Sequence, residues 1–346
     1  MTLSAGVTSM APEVERVSSP EDRNSLQPSE LLAVGMGAVL VTLFFMAPLV
    51  SQLGSGITAP RSDPKMNAWV IAWGADRLPH FLQGFWNAPV FYPYQNSLAY
   101  SENLLGIAIF VAPIYWLSHN PFLIYNVALL FTYVVAAVGT YALARELTGR
   151  RDAAVVAACA FAFAPYRWAQ LSHLPVLATG WLPLALWALH REFRAPSPRV
   201  LLAFVGSLLL LAFSSSSPAY HAAFFAIPLV VVGCVAVHGV TRERLWRFAA
   251  AAAVLGLLLA PVMLAHLRAW ADRAPVAGDL APYERHSADL GSYLEVSPTL
   301  PHAGWVPGVG IPEGRCYPGT VVVLLFLAAL VPLGPTRKPN RWRWLY

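Results

Sequence analysis

Long apolar runs separated by short polar segments dominate this chain. A helix needs roughly 20 apolar residues, and seldom fewer than roughly 17, to cross the hydrocarbon core of a bilayer. Because backbone amides in hydrocarbon must be paired within their own segment, such runs predict helices. The pattern therefore predicts an all-α polytopic membrane protein with about eight transmembrane helices. The predicted spans are 31–53, 121–143, 152–168, 172–190, 199–214, 217–238, 246–267 and 319–334. The third, fifth and eighth of these spans are short.

One further apolar run, 104–117, decides the orientation of the chain. It has 14 residues with Pro113 inside it, which suits a re-entrant or interfacial segment better than a crossing. If it does not cross and the N-terminus is cytoplasmic, the basic clusters after the second, fourth, sixth and eighth spans are all cytoplasmic, as the positive-inside rule requires. We therefore expect both termini in the cytoplasm and two large outer loops, about 54–120 and 268–318.

Composition supports the membrane assignment and limits the classes of binding partner that we expect. Hydrophobic residues make up 57% of the chain and charged residues only 12%, far from the average of soluble proteins. The formal net charge is +5, but the basic residues form short clusters between the apolar runs and no single stripe. We expect membrane lipids as partners and no nucleic acid. The first 30 residues, polar and rich in Ser, Pro and Glu, predict a disordered cytoplasmic tail without a cleavable signal peptide.

The stretch "RSDPKMNAW" in the first outer loop contains the first candidate functional residue, Asp63. Met66, Trp69, Val70 and Trp73 recur at helical spacing, which predicts an amphipathic helix lying along the membrane surface. Asp63 would then be its N-cap, with Pro64 at the first helical position. The alternative is that Asp63 is a carboxylate held at the membrane surface for chemistry. The two roles compete, because bonding to helix amides stabilises the charged form and lowers its basicity.

The segment 85–106 of the same loop is crowded with aromatics, prolines and amides. Aromatic faces such as those of Tyr94 and Tyr100 could line a groove for sugars. An interfacial belt of Trp and Tyr is the alternative interpretation. Glu102 is a second acidic candidate, although it directly precedes an apolar run and could simply charge the start of a helix.

Three other outer segments supply charged candidates. The short turn 165–175 carries Arg167 and His173, and a cation that the positive-inside rule disfavours there suggests an anionic partner such as a lipid phosphate. Arg268 follows the seventh predicted span. Asp289 lies in a polar stretch, 283–298, whose charged residues, Glu295 included, are equally well explained as a solvated face.

Absent motifs exclude several classes of function. The sequence has no HExxH, no CxxC pair and no glycine-rich phosphate loop, so zinc-hydrolase and nucleotide-binding functions have no support. A divalent cation held by carboxylates stays open as a cofactor. The predicted spans contain almost no ionisable side chain at mid-bilayer, which counts against an ion-coupled transporter.

Several stretches, taken in order, resemble a known superfamily. An outer aspartate soon after the first span, a long first outer loop and then "LARELTGRRDAAVVAACAFAFAPYRWAQLSHL" resemble the GT-C superfamily of polytopic membrane glycosyltransferases. "SDPKMNAW", "FYPYQNSLAYSENLLG", "HSADLGSYLEVSP" and "RCYPGT" resemble a bacterial group of membrane proteins usually placed near that superfamily. The likeness covers residues of about 31 to 334.

The resemblance implies transfer of a sugar from a polyprenyl-phosphate-linked donor to a glycan, lipid or protein acceptor on the outer face of the cytoplasmic membrane. It places the catalytic base, or a metal ligand, at Asp63. Arg167, or else Arg268, would stabilise the leaving lipid phosphate, and His173 would orient the substrate or share a proton. Many relatives carry paired acids in this loop and are longer, so the chain is either a fragment or a short member. The alternative function is a non-catalytic protein that binds or translocates lipid-linked glycans.

Overall fold

A computed structural model describes residues 26–58, 62–215, 222–271, 287–288, 290–296 and 315–330. Every regular element in these ranges is helical, so the all-α prediction is confirmed for the described residues. The chain runs through α1 (Pro28–Phe45), α2 (Ala47–Val50), α3 (Ser62–Arg77), α4 (Leu105–Ser118), α5 (Pro121–Thr148), α6 (Arg151–Ala162), α7 (Pro165–Ala169), α8 (Leu174–Leu177), α9 (Trp181–Arg194), α10 (Pro198–Ser214), α11 (Ile227–His238), α12 (Arg242–Ala271) and α13 (Thr320–Leu330).

Three of these helices, α1, α5 and α12, are long and apolar enough to cross a membrane. The other five predicted spans contain shorter helices. For example, α6 has 12 residues and ends at Ala162, before the predicted limit at 168. The run 104–117 is also helical, as α4, and its Leu105, Ile107 and Val111 are buried in the main hydrophobic cluster.

Helix α5 is the centre of the bundle. The Asn120 side chain accepts hydrogen bonds from the amides of Phe122 and Leu123, at 3.0 and 3.1 Å, and Pro121 follows it, so the helix start is specified locally. The helix continues for 28 residues and ends at Gly149 in the left-handed conformation. Helices α1, α3, α4, α6 and α9 pack around it.

A glycine pair brings α5 close to the start of α9. A Cβ on Gly139 would lie 2.8 Å from the carbonyl oxygen of Gly180, and a Cβ on Gly180 would lie 2.6 Å from the amide nitrogen of Ala136. No other residue type fits at these positions without moving a backbone. Such close backbone approach is typical of packed helices in membranes.

The two ends of the bundle carry different chemistry, and we name them the Glu30 end and the Asp63 end. Helices α1, α6, α10 and α12 begin at the Glu30 end. At the Asp63 end, the Asn120 amide donates to the carbonyl of Gly54 at 2.8 Å, and the Asn126 amide donates to the carbonyls of Leu53 and Gly56. These bonds place both ends of the segment 54–120 at the same end of the bundle.

At the Glu30 end, Glu30 joins three helices. The tail was expected to extend to residue 30, but α1 begins at Pro28 and the Glu30 side chain is buried. Its Oε2 accepts from the Tyr141 hydroxyl at 2.9 Å and from Arg145 Nε at 3.3 Å, while Oε1 pairs with Arg151 at 2.6 Å. The ion pairs therefore tie α1 to α5 and α6.

Two more buried glutamates repeat this arrangement. Glu146 Oε1 lies 2.9 Å from Arg194, and its Oε2 lies 3.8 Å from Arg191, which joins α5 to α9. Glu192 pairs through Oε1 with Arg247 and accepts through Oε2 from the amide of Ser197 at 3.1 Å. Arginines that the sequence marked as topology signals thus also hold helices together.

Helix α3 buries a wider face than the predicted stripe. Val70 of the stripe is 1% exposed and its two tryptophans pack against the main hydrophobic cluster, but Ala68, Ile71 and Ala75 are equally buried and Met66 is exposed. Helix α3 packs against α4 and α5, and its two tryptophans lie at the edge of that contact. Trp69 and Trp73 stack with ring centroids 6.2 Å apart, and Trp73 Nε1 donates to the carbonyl of Phe85 at 2.9 Å. The stripe therefore packs against the aromatic segment of the same loop.

Candidate functional site

Asp63 and His173 come together at the Asp63 end, although 110 residues separate them in the sequence. Helix α3 begins at Ser62, so Asp63 is its second residue and Pro64 its third, and the predicted N-cap position is wrong by two residues. A carboxylate anywhere in a first turn still interacts favourably with the helix dipole. Asp63 Oδ2 lies 3.3 Å from His173 Nε2, and the carboxylate-bearing side chain is 44% exposed. The carboxylate thus contacts another part of the chain and remains open to solvent.

The turn that carries His173 is fixed to α5 through one carbonyl group. The Tyr125 hydroxyl donates to the carbonyl of Leu171 at 3.3 Å, and the Thr58 hydroxyl lies 3.4 Å from the same oxygen. The amide of His173 donates to the carbonyl of Gln170 at 2.8 Å. Leu174, directly after the histidine, is completely buried. These contacts hold His173 in place beside Asp63.

The two ring nitrogens of His173 have different surroundings. Nε2 faces Asp63, whereas Nδ1 is buried. A substrate approaching from solvent can therefore reach the Asp63 carboxylate but not Nδ1. If Nε2 carries its proton, it donates to the carboxylate and fixes the direction of the Asp63 oxygens.

Arg167 was expected in a short outer turn where an anionic partner could reach it, but its side chain is buried within the protein. It is 4% exposed, and its Nη2 donates to the carbonyls of Leu177 at 2.9 Å and Thr132 at 3.3 Å. Its guanidinium carbon lies 4.9 Å from the Tyr133 ring centroid. These contacts join α7 to α5 and α8, and binding of a lipid phosphate stays a prediction.

Tyr94 and Tyr100 form an aromatic cluster with Phe91. Tyr100 lies 6.0 Å from the Tyr94 ring and 5.7 Å from the Phe91 ring, both in edge-to-face geometry. Tyr94 is exposed, whereas Tyr100 packs beside Ala265 and Ala269 near the end of α12. An accessible aromatic edge at the Asp63 end is compatible with both sugar stacking and an interfacial belt.

Glu102 is half-buried between this cluster and α4. The neighbouring Asn103 side chain accepts from the amide of Leu105 at 3.1 Å and thereby supports the helix start. Ser101, on the other side, lies 4.0 Å from the Met66 sulfur, so this segment runs along α3. Glu102 is therefore placed beside the helix that carries Asp63.

The two remaining candidates do not join this group. Arg268 is exposed in the last turn of α12, and within the described ranges no hydrogen bond or ion pair links it to Asp63 or His173. Asp289 lies outside the described residues. The described part of the chain also holds no cluster of three acidic, histidine or cysteine side chains that could bind a metal ion.

Glu295 is a buried acid that sequence reasoning assigned to a solvated face. It is 4% exposed, and its Oε1 lies 3.3 Å from Arg315 Nε. The amide of Cys316 donates to the carbonyl of Ser292 at 2.9 Å, so the stretches "HSADLGSYLEVSP" and "RCYPGT" meet in space. The flanking apolar residues give no consistent sign of this burial, because Val296 is buried and Leu294 is exposed.

Comparisons with known proteins establish the family but no activity. The chain belongs to the family described as a domain of unknown function, DUF6311, whose model matches residues 34–346. No curated protein and no solved structure matches the chain. Any assignment of function therefore depends on the chemistry of the site.

Proposed function

We propose that the protein is a membrane glycosyltransferase whose base is Asp63 and whose site faces the outside of the cytoplasmic membrane. The observation that carries this proposal is the Asp63–His173 pair, a solvent-accessible carboxylate held 3.3 Å from a histidine nitrogen. A base must lie within hydrogen-bond reach of the hydroxyl that it deprotonates, and it must be accessible to that hydroxyl. Asp63 is accessible to such a hydroxyl, and the contact with His173 fixes the direction of the Asp63 oxygens.

The proposed reaction is a single displacement at the anomeric carbon of a polyprenyl-phosphate-linked sugar. The acceptor O–H bond breaks as its proton passes to Asp63, and the acceptor oxygen forms a bond to the anomeric carbon. The bond from that carbon to the phosphate oxygen breaks, and the electron pair leaves with the lipid phosphate. Attack from the face opposite the leaving group inverts the anomeric configuration. His173 acts as a positioning residue, since it touches the base and not the reacting atoms.

The membrane setting supports a lipid-linked donor. Three described helices can span a bilayer, and we propose that the shorter apolar helices complete a bundle of about eight spans. Both termini would then be cytoplasmic, and the Asp63 end would be the outer end. Arg268 is exposed at the end of α12 and precedes Ala269, which packs beside Tyr100, so we assign it to the leaving phosphate although the described residues show no hydrogen bond or ion pair between it and Asp63 or His173.

An apolar cavity suits both the proposed function and the second candidate, which is binding or translocation of lipid-linked glycans without chemistry. It has a volume of about 920 Å³ and lies between α10, α11 and α12. Phe204, Leu211, Val231 and Phe248 are among its lining residues, and its walls are almost wholly apolar. A lipid chain would fit such a cavity in either function.

The decisive experiment compares two aspartates of one helix. Asp76 lies on α3 with Asp63, has a side chain that is 47% exposed, and pairs with Arg77. We expect Asp63→Asn to lose sugar transfer from a panel of polyprenyl-phosphate-linked hexoses and pentoses, and Asp76→Asn to retain it. Both variants should insert normally, since both side chains are exposed. Transfer that survives in Asp63→Asn would refute the assignment of the base.

The second candidate predicts a different outcome. A deletion strain would keep its lipid-linked sugar chemistry but show an altered distribution of the lipid-linked glycan between the leaflets. Loss of one sugar from the final glycan would instead support transfer. Mass spectrometry of lipid copurified with the protein would show whether a polyprenyl phosphate is bound.

A further inference from the structure

The apolar cavity between α10, α11 and α12 runs along most of α12. Its lining residues on this helix extend from Arg244 to His266, a distance of roughly 33 Å at roughly 1.5 Å per residue. This length is close to the hydrocarbon thickness of a bilayer, roughly 30 Å. The lining residues Val240, Leu245 and Met263 are exposed, so the cavity opens to the outside near both of its ends. Lipid can therefore enter it directly from the membrane.

Two exposed tryptophans of α12 mark the ends of the cavity. Trp246 is 66% exposed and Trp270 is 71% exposed, and they lie near opposite ends of the helix. Exposed tryptophans are enriched at both membrane–water interfaces. The cavity therefore lies between two interfacial levels, with Arg244 at the level of one headgroup region.

Positive charge is concentrated at the Glu30 end of this cavity. Arg244 is the only lysine, arginine or acidic side chain among the described residues that line it. Arg242, two residues earlier, is exposed, and the first turn of α12 adds the positive end of the helix dipole. The acid of this turn, Glu243, interacts with Arg247 one turn further along. The charge at this end therefore favours an anionic group.

Arg244 is held in place and keeps hydrogen-bonding capacity for a ligand. Its Nη1 donates to the carbonyls of His238 and Gly239 at 2.8 and 3.0 Å, and its Nη2 donates to the carbonyl of Phe193 at 2.8 Å. Its Nε makes no hydrogen bond to a described residue and is not buried. The Nε–H and the remaining Nη2–H can therefore bind a phosphate oxygen.

We propose that this end of the cavity binds an anionic phospholipid, with its phosphate at Arg242 and Arg244 and an acyl chain in the cavity. The lipid-linked donor does not fit this end, because its phosphate must lie near Asp63, at the opposite end of the bundle. The half of the cavity beside His266 remains for a chain that enters from the Asp63 end. In the orientation proposed above, the phospholipid belongs to the cytoplasmic leaflet, whose anionic lipids attract basic residues.

A comparison of two phospholipids tests the charge of the headgroup. Full-length protein in detergent is titrated with dioleoyl phosphatidylglycerol or dioleoyl phosphatidylcholine, and native mass spectrometry measures the bound lipid. The acyl chains are identical, so only the headgroups differ. One arginine near an anionic lipid contributes about fivefold in affinity, so with two we expect phosphatidylglycerol to bind about tenfold or more tightly. Equal affinity for the two lipids would overturn the proposal.

Two arginine variants test where the phosphate binds. Arg242→Gln changes an exposed side chain and should weaken phosphatidylglycerol binding about fivefold while phosphatidylcholine binding stays the same. Arg244→Gln should do the same, and Arg242→Gln carries the test alone if loss of the carbonyl contacts unfolds Arg244→Gln. Arg150→Gln, at an exposed arginine of the same end that does not line the cavity, is the matched control. An unchanged preference for phosphatidylglycerol in Arg242→Gln would overturn the proposal.

Two neighbouring alanines of α12 test where the acyl chain binds. Ala252 lines the cavity, whereas Ala253 is exposed and does not line it. Ala252→Trp should weaken the binding of both phospholipids severalfold, because the ring takes the space of the chain, and Ala253→Trp should bind as wild type does. Equal affinities in these two variants would contradict an acyl chain in the cavity.

Competing ligands separate the phospholipid from other sources of phosphate. Displacement of phosphatidylglycerol by millimolar inorganic phosphate would overturn the proposal, because the chain would then be dispensable. Tighter binding of a polyprenyl phosphate, with the same dependence on Arg242, would overturn it as well. Asp63→Asn should bind phosphatidylglycerol as wild type does, so that failure of this proposal and failure of the proposed function are distinguishable.

Discussion

Acidic side chains at the two ends of the bundle differ in how many of their carboxylate oxygens have a hydrogen-bond or ion-pair partner in the protein. At the Glu30 end, the side chains of Glu30, Glu146 and Glu192 are at most 8% exposed, and every carboxylate oxygen faces an arginine, a tyrosine or an amide. At the Asp63 end, Asp63 shares one oxygen with a histidine and stays open to solvent, whereas Glu295 is buried and has one oxygen without a partner among the described residues. Acids whose oxygens are all paired stabilise the fold, whereas an exposed acid such as Asp63 is available to a ligand.

The largest difference is expected between the sugar-transfer rates of two variants, each of which neutralises one acid at one end of the bundle. Loss of a general base typically costs about 10²- to 10⁴-fold in rate, so we expect a decrease of that size in sugar transfer for Asp63→Asn. Glu192→Gln should leave the rate per folded molecule unchanged, because Glu192 lies at the opposite end. Transfer rates normalised to the monodisperse fraction after size exclusion would check this. A comparable decrease in both variants would mean that the two ends do not differ in the way described.

The effects on stability should be the reverse of the effects on transfer, so that a substitution at the Glu30 end destabilises the protein more than a substitution at Asp63. Removing one partner of a buried ion pair leaves the other charges uncompensated and costs about 3–5 kcal/mol. Glu30→Gln should therefore lower the free energy of unfolding by about 3 kcal/mol, because it leaves the buried Arg145 without its carboxylate, whereas the exposed Arg151 adds little. Thermal unfolding in detergent, followed by tryptophan fluorescence, would measure the change. Asp63→Asn is the companion variant, and a larger loss of stability there than in Glu30→Gln would contradict the assignment of roles.

The role of His173 can be tested by a conservative replacement. His173→Leu removes the donor that directs the Asp63 oxygens, and we expect transfer to fall about tenfold, the effect of one lost hydrogen bond to a charged group. His173→Gln should recover most of the rate, because its amide can donate in place of Nε2. A purely structural role would predict equal losses in both variants. Steady-state kinetics should show the decrease in kcat more than in KM.

The smallest effect is expected for an exposed ion pair at the Glu30 end. Arg150 and Asp152 pair closely, but their side chains are 59% and 66% exposed. Ion pairs of this kind contribute little, because water and salt screen them. Asp152→Asn should therefore leave both the melting temperature and the transfer rate unchanged within error. A clear shift of the melting temperature would show that burial is not what separates Glu30 from Asp152.

Much of the helical framework could be predicted from the sequence, because its signals are local. The start of α5 follows from Asn120 and Pro121, and the apolar runs led to helices throughout the described residues. Asp63 could be selected as a candidate because it follows the first span and precedes a helix. Its actual position within the first turn depends on the start of α3, and such boundaries are poorly fixed by sequence.

Contacts between distant residues could not be predicted in the same way. Glu30 is 115 residues from Arg145, and His173 is 110 residues from Asp63, so neither pair has a local signature. Arg167 was expected at the surface because its own segment is a short turn, but neighbouring helices cover it. The burial of Glu295 arises in the same way, from a stretch about 20 residues further along the chain.

The glycine pair between α5 and α9 has a consequence for reading the sequences of other family members. Because a Cβ at either position would lie within 2.8 Å of the opposite backbone, selection should retain Gly139 and Gly180 even in members whose substrates differ. Invariance there would reflect steric exclusion and would give no information about chemistry. Variation at Asp63 or His173 would instead separate members by reaction.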